Sequence, residues 1–323
     1  MKKLFKLSIL CVAFITSLTA CSSSSHGDDS QTQTESNQES LKSVSFLLDW
    51  VPNTNHTGVY VALEKGFYSD IGIDLEVLNP PEESTTALVA SNKADFGVSF
   101  QDTIATAINS NDDFPVVAIA SIIQHNTSGI LSLKEAGIDS FKNLEGKTYA
   151  SWSDPIEQAT IKQVMTNQGG DFSKLEIYPS VTTDATIAIQ TNVDAVWVYE
   201  AWDVMMAEMQ GLEYNFIKFS DVEPMLDFYT PVIISSVSYL EENPQLAKDF
   251  LYATMQGYEY AIENPKESAE ILHKYSPEYD LDMLVKSQVY LAEQYKAEVG
   301  QWGYINPERW NAFYYWLRDS GLI

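Results

Sequence analysis

The chain has 323 residues, of which 45% are hydrophobic and 12% aromatic, so a disordered polymer is excluded and there is enough apolar surface for more than one core. Its formal net charge of −26 at pH 7 argues against binding nucleic acid and against gripping anionic lipid through basic side chains; solubility is the plainer use of such acidity. The only two cysteines, Cys11 and Cys21, lie in the first 21 residues, which leaves the rest of the chain without a disulfide or a thiolate metal site.

Residues 1–20 read as an export signal. Lys2, Lys3 and Lys6 form a basic end, Leu7 to Leu18 are mostly apolar, and Leu18-Thr-Ala-Cys21 resembles the bacterial lipobox, in which the cysteine is lipidated and becomes the first mature residue. Cys21 is thus the expected lipidation site, and lipid chains anchor with about 0.8 kcal/mol per buried CH₂. Residues 21–40 are almost wholly polar and predict a solvated tether, whose root-mean-square reach is roughly 25 Å. His26 lies in it without an assigned role. No other stretch is long and apolar enough to span a bilayer.

The body from residue 41 suits two lobes. Ser45–Asp49 reads as a strand, and the loop Trp50-Val-Pro-Asn-Thr-Asn-His56 leads into an apolar-periodic helix that Gly66 can terminate. Residues 73–78 alternate with period two, 84–91 predict a helix, 94–100 a strand and 102–109 a helix. Residues 115–123 form a continuous apolar run, expected to be a strand buried on both faces of a parallel sheet. A second series of alternating strands and helices starts near Leu144: a strand ending at Trp152, a helix opened by Asp154 and Pro155, a strand over 175–178, a helix over 184–191 and a strand over 193–199. Residues 227–236 return as a strand, and four helices, each opened by a proline or a capping residue, complete the chain. This pattern predicts an α/β fold of two lobes, with lobe 1 from 41–131 and 233–323 and lobe 2 from 132–232.

Loops at the carboxyl ends of strands are where open α/β sheets bind ligands. Three such loops carry the candidate ligand residues. The first offers Trp50, Asn53, His56 and Tyr60, the indole, amide, imidazole and phenol suited to a flat polar heterocycle; packing and helix capping are the competing roles. The second offers Gln101 and Asp102, the latter an N-cap or a contact. The third groups Ser151, Trp152 and Asp154 with Tyr199, Glu200 and Trp202. Glu200 can accept two hydrogen bonds from the amine-and-ring-nitrogen edge of an aminopyrimidine, or it can serve the helix dipole, worth about 0.3–1 kcal/mol. His125 lines the cleft or sits in the hinge.

Several of these pieces together, Leu48-Asp-Trp-Val-Pro-Asn-Thr-Asn-His-Thr-Gly58, Glu64-Lys-Gly-Phe-Tyr68, Gly72-Ile-Asp-Leu75, Ala94-Asp-Phe-Gly97, Leu144-Glu-Gly-Lys147 and Val198-Tyr-Glu200, resemble the extracytoplasmic solute-binding proteins of ABC importers. Within them the likeness is to the thiamine-pyrimidine-precursor group, related to fungal pyrimidine synthases, and it covers nearly all of 44–318. The resemblance implies a periplasmic-binding-protein type II fold with a hinge and an interlobe cleft. Its function would be to capture N-formyl-aminomethyl-aminopyrimidine or hydroxymethylpyrimidine for import, with an ABC permease and its ATPase as partners. It further implies a monomer, lipid-anchored on the outer face of the bacterial cytoplasmic membrane, with no cofactor and no metal. Trp50 and an aromatic of the Tyr199–Trp202 group would sandwich the ring, Asn53 and His56 hold its substituents, Glu200 read the aminopyrimidine edge, and residues 151–154 close over it. Riboflavin or another flat nitrogen heterocycle is the alternative ligand. The enzymatic alternative is a pyrimidine synthase, in whose fungal forms the histidine matching His56 is consumed and a cysteine-rich, iron-binding motif lies on the return segment; here Met225-Leu-Asp-Phe-Tyr-Thr-Pro231 contains no cysteine.

Overall fold

A computed structural model describes residues 41–80, 84–109, 115–180 and 184–323, so the expected leader, Cys21, the tether and His26 lie outside the described residues. The chain runs β1 (Lys42–Leu47), α1 (Thr57–Glu64), β2 (Ile73–Leu78), α2 (Thr85–Ala90), β3 (Phe96–Ser99), α3 (Gln101–Asn109) and β4 (Val116–Ser121). It continues through β5 (Ser128–Leu133), β6 (Thr148–Ser151), α4 (Pro155–Asn167), β7 (Glu176–Pro179), α5 (Ala185–Thr191) and β8 (Ala195–Tyr199). A π-helical turn over Glu200–Val204 then leads into α6 (Met205–Met209), β9 (Tyr214–Lys218) and α7 (Phe219–Val222). The last part is β10 (Val232–Ser236), α8 (Val237–Glu242), α9 (Pro244–Glu263), α10 (Pro265–His273), α11 (Leu281–Gln294) and α12 (Pro307–Asp319).

The strands form two five-stranded sheets, ordered β2-β1-β3-β10-β4 and β7-β6-β8-β5-β9. In the first, β1 is parallel to β2 and β3 while β10 is antiparallel to β3 and β4. The second repeats the plan, with β6 parallel to β7 and β8, and β5 antiparallel to β8 and β9. Each sheet therefore contains one reversed strand, and each reversed strand lies next to a crossing between the sheets. Parallel neighbours share an orientation, so the carboxyl ends of β1 and β3 lie together, as do those of β6 and β8.

Local sequence explains much of this. Ile73-Asp-Leu-Glu alternates buried and exposed in β2, as a sheet with one covered face requires. Gly66, at φ +77°, takes the left-handed conformation that ends the α1 segment. Asp154 caps α4 with its Oδ1 accepting from the N–H groups of Ile156 and Glu157, and Pro155 takes the first helical position. α9 covers the first sheet: Phe250 stacks on Phe96 with centroids 3.9 Å apart. In the second lobe Phe141, Phe219 and Trp197 pack under the sheet.

Four features differ from the sequence reading. β4 is an edge strand, antiparallel to β10, with Val117 38% exposed; the apolar run survives there because Gly303 approaches, accepting from Ser121 N–H at 3.1 Å. Only Val232–Ser236 of the return segment expected over 227–236 is strand. β9 was not anticipated. Ser128–Leu133 pairs with β8 and β9, so these residues belong to the second sheet, and α12 also packs there, Phe313 stacking on Phe228 at 4.3 Å.

Candidate ligand-binding cleft

The carboxyl ends of both sheets face a cavity of about 440 Å³. The first lobe contributes Asp49, Trp50, Asn53, Thr54 and Asn55 from the β1–α1 connection, and Phe100 from the end of β3. The second lobe contributes Trp152 after β6, Ser180 and Asp184 before α5, Trp197 and Tyr199 of β8, and Ala201, Trp202 and Asp203 of the π-helical turn. Tyr279, just before α11, completes one side. Of the site residues expected from the sequence, the structure brings together Trp50, Asn53, Trp152, Tyr199 and Trp202.

The first wall is held from beneath. Asn53 caps a 3-10 turn over Thr54–His56, its Oδ1 accepting from Asn55 N–H at 2.9 Å and its Nδ2 donating to Val51 O at 3.0 Å. The His56 ring is fully buried. Its Nδ1 accepts from Asn53 N–H at 3.2 Å, so the proton sits on Nε2, which donates to Asp49 Oδ1 at 2.7 Å. His56 therefore lies outside the cavity lining and orients a carboxylate that belongs to it. Behind, Tyr258 donates to Asn55 O at 2.7 Å, and Thr54 Oγ1 lies 2.6 Å from Ser287 Oγ on α11.

The second wall is mostly aromatic. Trp152 packs edge-on against Trp197 with centroids 5.3 Å apart, and Ser153, at φ +67°, makes the turn that leaves Trp152 44% exposed. Trp202 packs edge-on against Tyr279 at 4.8 Å. Tyr199 OH lies 3.3 Å from Thr230 Oγ1, and burial pushes the phenol pKa well up. Asp203 receives one long backbone bond, from Tyr199 N–H at 3.4 Å; burial raises its carboxyl to about 6. Asp184 caps α5, its Oδ1 accepting from Ile187 N–H at 3.1 Å and Thr186 Oγ1 at 2.7 Å. Three carboxylates thus line the cavity, and among the described lining residues there is no Lys, Arg or His.

The other expected site residues lie elsewhere. Glu200 is paired outside the cavity lining: Lys218 Nζ is 2.6 Å and Tyr290 OH 2.7 Å from its Oε2. Tyr60 is core, stacked on Tyr275 at 4.3 Å. Gln101 is fully buried, donating to Trp310 O at 2.8 Å and accepting from Tyr229 N–H at 2.9 Å. Ser151 donates to the buried Glu157 carboxylate at 2.8 Å, and Asp154 is occupied in capping. The sequence reading missed Asp49, Asp184, Asp203, Trp197 and Tyr279; Asp49 and Asp203 stood beside residues already singled out, with nothing local to show which of several consecutive side chains turns inward.

Two mixed sheets, joined by crossings and closing on one aromatic cleft, define the two-lobed periplasmic-binding-protein type II fold. The solved E. coli periplasmic aliphatic sulphonate binding protein SsuA shares it, with a TM-score of 0.68 at 14% identity over 88% of this chain and 94% of that one. The model of the family described as NMT1/THI5 like matches residues 53–268, and the chain belongs to that family. It is 28% identical, over 89% of its length and 88% of the relative's, to the formylaminopyrimidine-binding protein of Halalkalibacterium halodurans. It is also 26% identical, over 76% of its length and 75% of the relative's, to a 4-amino-5-hydroxymethyl-2-methylpyrimidine phosphate synthase of Saccharomyces cerevisiae.

Proposed function

We propose that this chain is the extracytoplasmic substrate-binding component of an ABC importer and captures an aminopyrimidine precursor of thiamine, formylaminopyrimidine or hydroxymethylpyrimidine. The observation that carries the reading is a cavity with aromatic walls and three carboxylates but no cationic lining side chain among the described residues. A flat ring with an amine gains stacking from the aromatics and donates charge-assisted hydrogen bonds to Asp49, Asp184 or Asp203. An anion such as a sulfonate would meet repulsion and find no guanidinium or ammonium to pair with. In this reading Trp50 takes one face of the ring and Tyr199 or Trp202 the other, with Asn53 holding a substituent. The carboxylates replace Glu200 as readers of the aminopyrimidine edge.

Binding without turnover is favoured by His56, whose ring is buried and bonded through both nitrogens, outside the cavity lining. The relationship to solute-binding proteins supports an extracytoplasmic body, and the Cys21 lipobox would supply the anchor. Among the described residues no helix is long and apolar enough to cross a membrane.

Titration calorimetry against hydroxymethylpyrimidine, formylaminopyrimidine, riboflavin and an aliphatic sulfonate tests the proposal. One-to-one binding of the two pyrimidines and no heat from the sulfonate is expected. Riboflavin binding alone would retire the pyrimidine assignment, and preferential sulfonate binding would sink the argument from cavity charge.

A further inference from the structure

Helix α11 belongs to the first lobe, where Met283, Leu284 and Leu291 are core residues. Lys286, Ser287 and Tyr290 share another face, at the three- and four-residue spacings that align on a helix. Each reaches the second lobe's π-helical turn or the helix after it. Ser287 Oγ donates to Ala201 O, which leaves it to accept from Thr54 Oγ1 of the Trp50 loop at 2.6 Å. Tyr290 OH donates to Glu200 at 2.7 Å, and Lys286 pairs with Glu208. The turn and α6 together straddle both lobes, with Ala201, Trp202 and Met206 packed on the first-lobe core and Val204 and Ala207 in a second-lobe cluster. None of Lys286, Ser287, Tyr290 or Glu200 lines the cavity.

From this arrangement we propose that α11 is the latch of the cleft: Ser287 and Tyr290 are positioning residues that hold the Tyr199–Asp203 wall against the Trp50 wall, and Glu200 is the second-lobe half of that latch. The bonds of Ser287 to Ala201, Tyr290 to Glu200 and Lys286 to Glu208 each join an element of one lobe to an element of the other, so opening the cleft must break them together, while the Thr54–Ser287 bond stays within the first lobe. The ligand adds its own contacts across the same gap, so latch and ligand favour one closed state and each strengthens the other. The benefit to ligand binding rests on the pyrimidine reading above; the latch between the lobes does not.

Hydrogen exchange of the full chain separates these two claims. In unliganded Tyr290→Phe and Ser287→Ala, exchange over residues 200–209 should rise about tenfold while β1 and β3 keep the parent's protection. Stopped-flow tryptophan fluorescence with hydroxymethylpyrimidine as probe should show dissociation about tenfold faster without slower association. In a double-mutant cycle, Tyr290→Phe and Glu200→Ala should fall short of additive, because both remove the Tyr290–Glu200 bond, while Glu200→Ala alone also removes the Lys218 pair. Parent-like exchange at 200–209, a rise spread equally over β1 and β3, or fully additive effects would overturn the latch. If the probe fails to bind the parent, the pyrimidine reading falls, and the exchange data still decide the latch.

Discussion

The two walls of the cleft meet the same cavity but are built on opposite principles. The Trp50 wall is a short capped turn whose backbone is tied down by Asn53, Tyr258 and the buried His56 ring, and its carboxylate, Asp49, is held by a hydrogen bond at 2.7 Å. The Tyr199 wall is a π-helical turn, a rare geometry concentrated at functional sites, and its carboxylate, Asp203, is held by one long bond and pushed up to about 6 by burial. One wall is a preformed platform on which function and stability coincide. The other buries a carboxyl that burial pushes toward its neutral form, so there the proposed binding role and stability oppose each other.

The platform should break most sharply where its backing is tightest. Helices α1 and α9 touch backbone to backbone at Gly58 and Gly257, and a Cβ on Gly257 would lie 1.9 Å from Gly58 O and 2.8 Å from Ala62 Cβ. Gly257→Ala should therefore cost about 3 kcal/mol, the upper part of the usual range for overpacking, read as a lower urea midpoint at unchanged slope. A loss under about 1 kcal/mol would mean that the two helices separate freely.

Next in size is the contrast between the carboxylates. His56→Ala removes the donor to Asp49 and the acceptor for Asn53 N–H, so stability should fall by about 2 kcal/mol and pyrimidine affinity should fall with it. Asp203→Asn should weaken the pyrimidine by about 1–3 kcal/mol yet raise the urea midpoint at pH 7. The sign follows from the raised pKa: the native state prefers the neutral acid, so stability is full below the ordinary value of 3.8 and is lost as pH rises through about 6. The advantage of the asparagine variant should accordingly vanish below about pH 4, where the native aspartic acid is also neutral. Parallel losses of stability and affinity in both variants would erase the distinction between the walls.

The same contrast explains what was legible in the sequence. The platform is a local structure: strand, proline, asparagine cap and apolar helix follow within twenty residues, so its place and its Trp50 and Asn53 could be read directly. The second wall is a matter of rotation. A π-helical turn departs from the usual 100° step, so the sequence Tyr-Glu-Ala-Trp-Asp did not reveal that Asp203 turns inward and Glu200 outward. The partners that draw Glu200 away, Lys218 and Tyr290, lie 18 and 90 residues further on. The apolar run at 115–123 misled for a similar reason, because its cover comes from the distant Gly303 segment rather than from another strand.

The smallest expected effect lies where the lobes cross. His125 Nδ1 is 2.7 Å from Asp227 Oδ2, its Nε2 is 2.8 Å from Glu298 Oε2, and Arg309 Nη1 comes within 2.9 Å of the same Nδ1. The bond to Asp227 raises the imidazole pKa above 6.5, assisted by Glu298 and opposed by burial and by the Arg309 charge. Burial pushes Asp227 up, but His125, Asn126 N–H and Arg309 together hold it below its ordinary value. A raised histidine contributes stability that is full below pH 6.5 and lost as pH rises through the folded-state value; a lowered aspartate contributes above its ordinary value of 3.8 and loses it in acid. The pair should thus support the crossing best in mildly acidic to near-neutral solution. The imidazole is 38% exposed, so solvent and salt screen much of the effect. Urea midpoints of the parent should decline modestly above pH 6.5, less so in high salt, and His125→Gln should flatten that decline while leaving the Asp203 transition near pH 4–6 intact. Because the two transitions occupy different pH windows, a variant that alters both would show that the crossing and the cleft wall titrate as one unit.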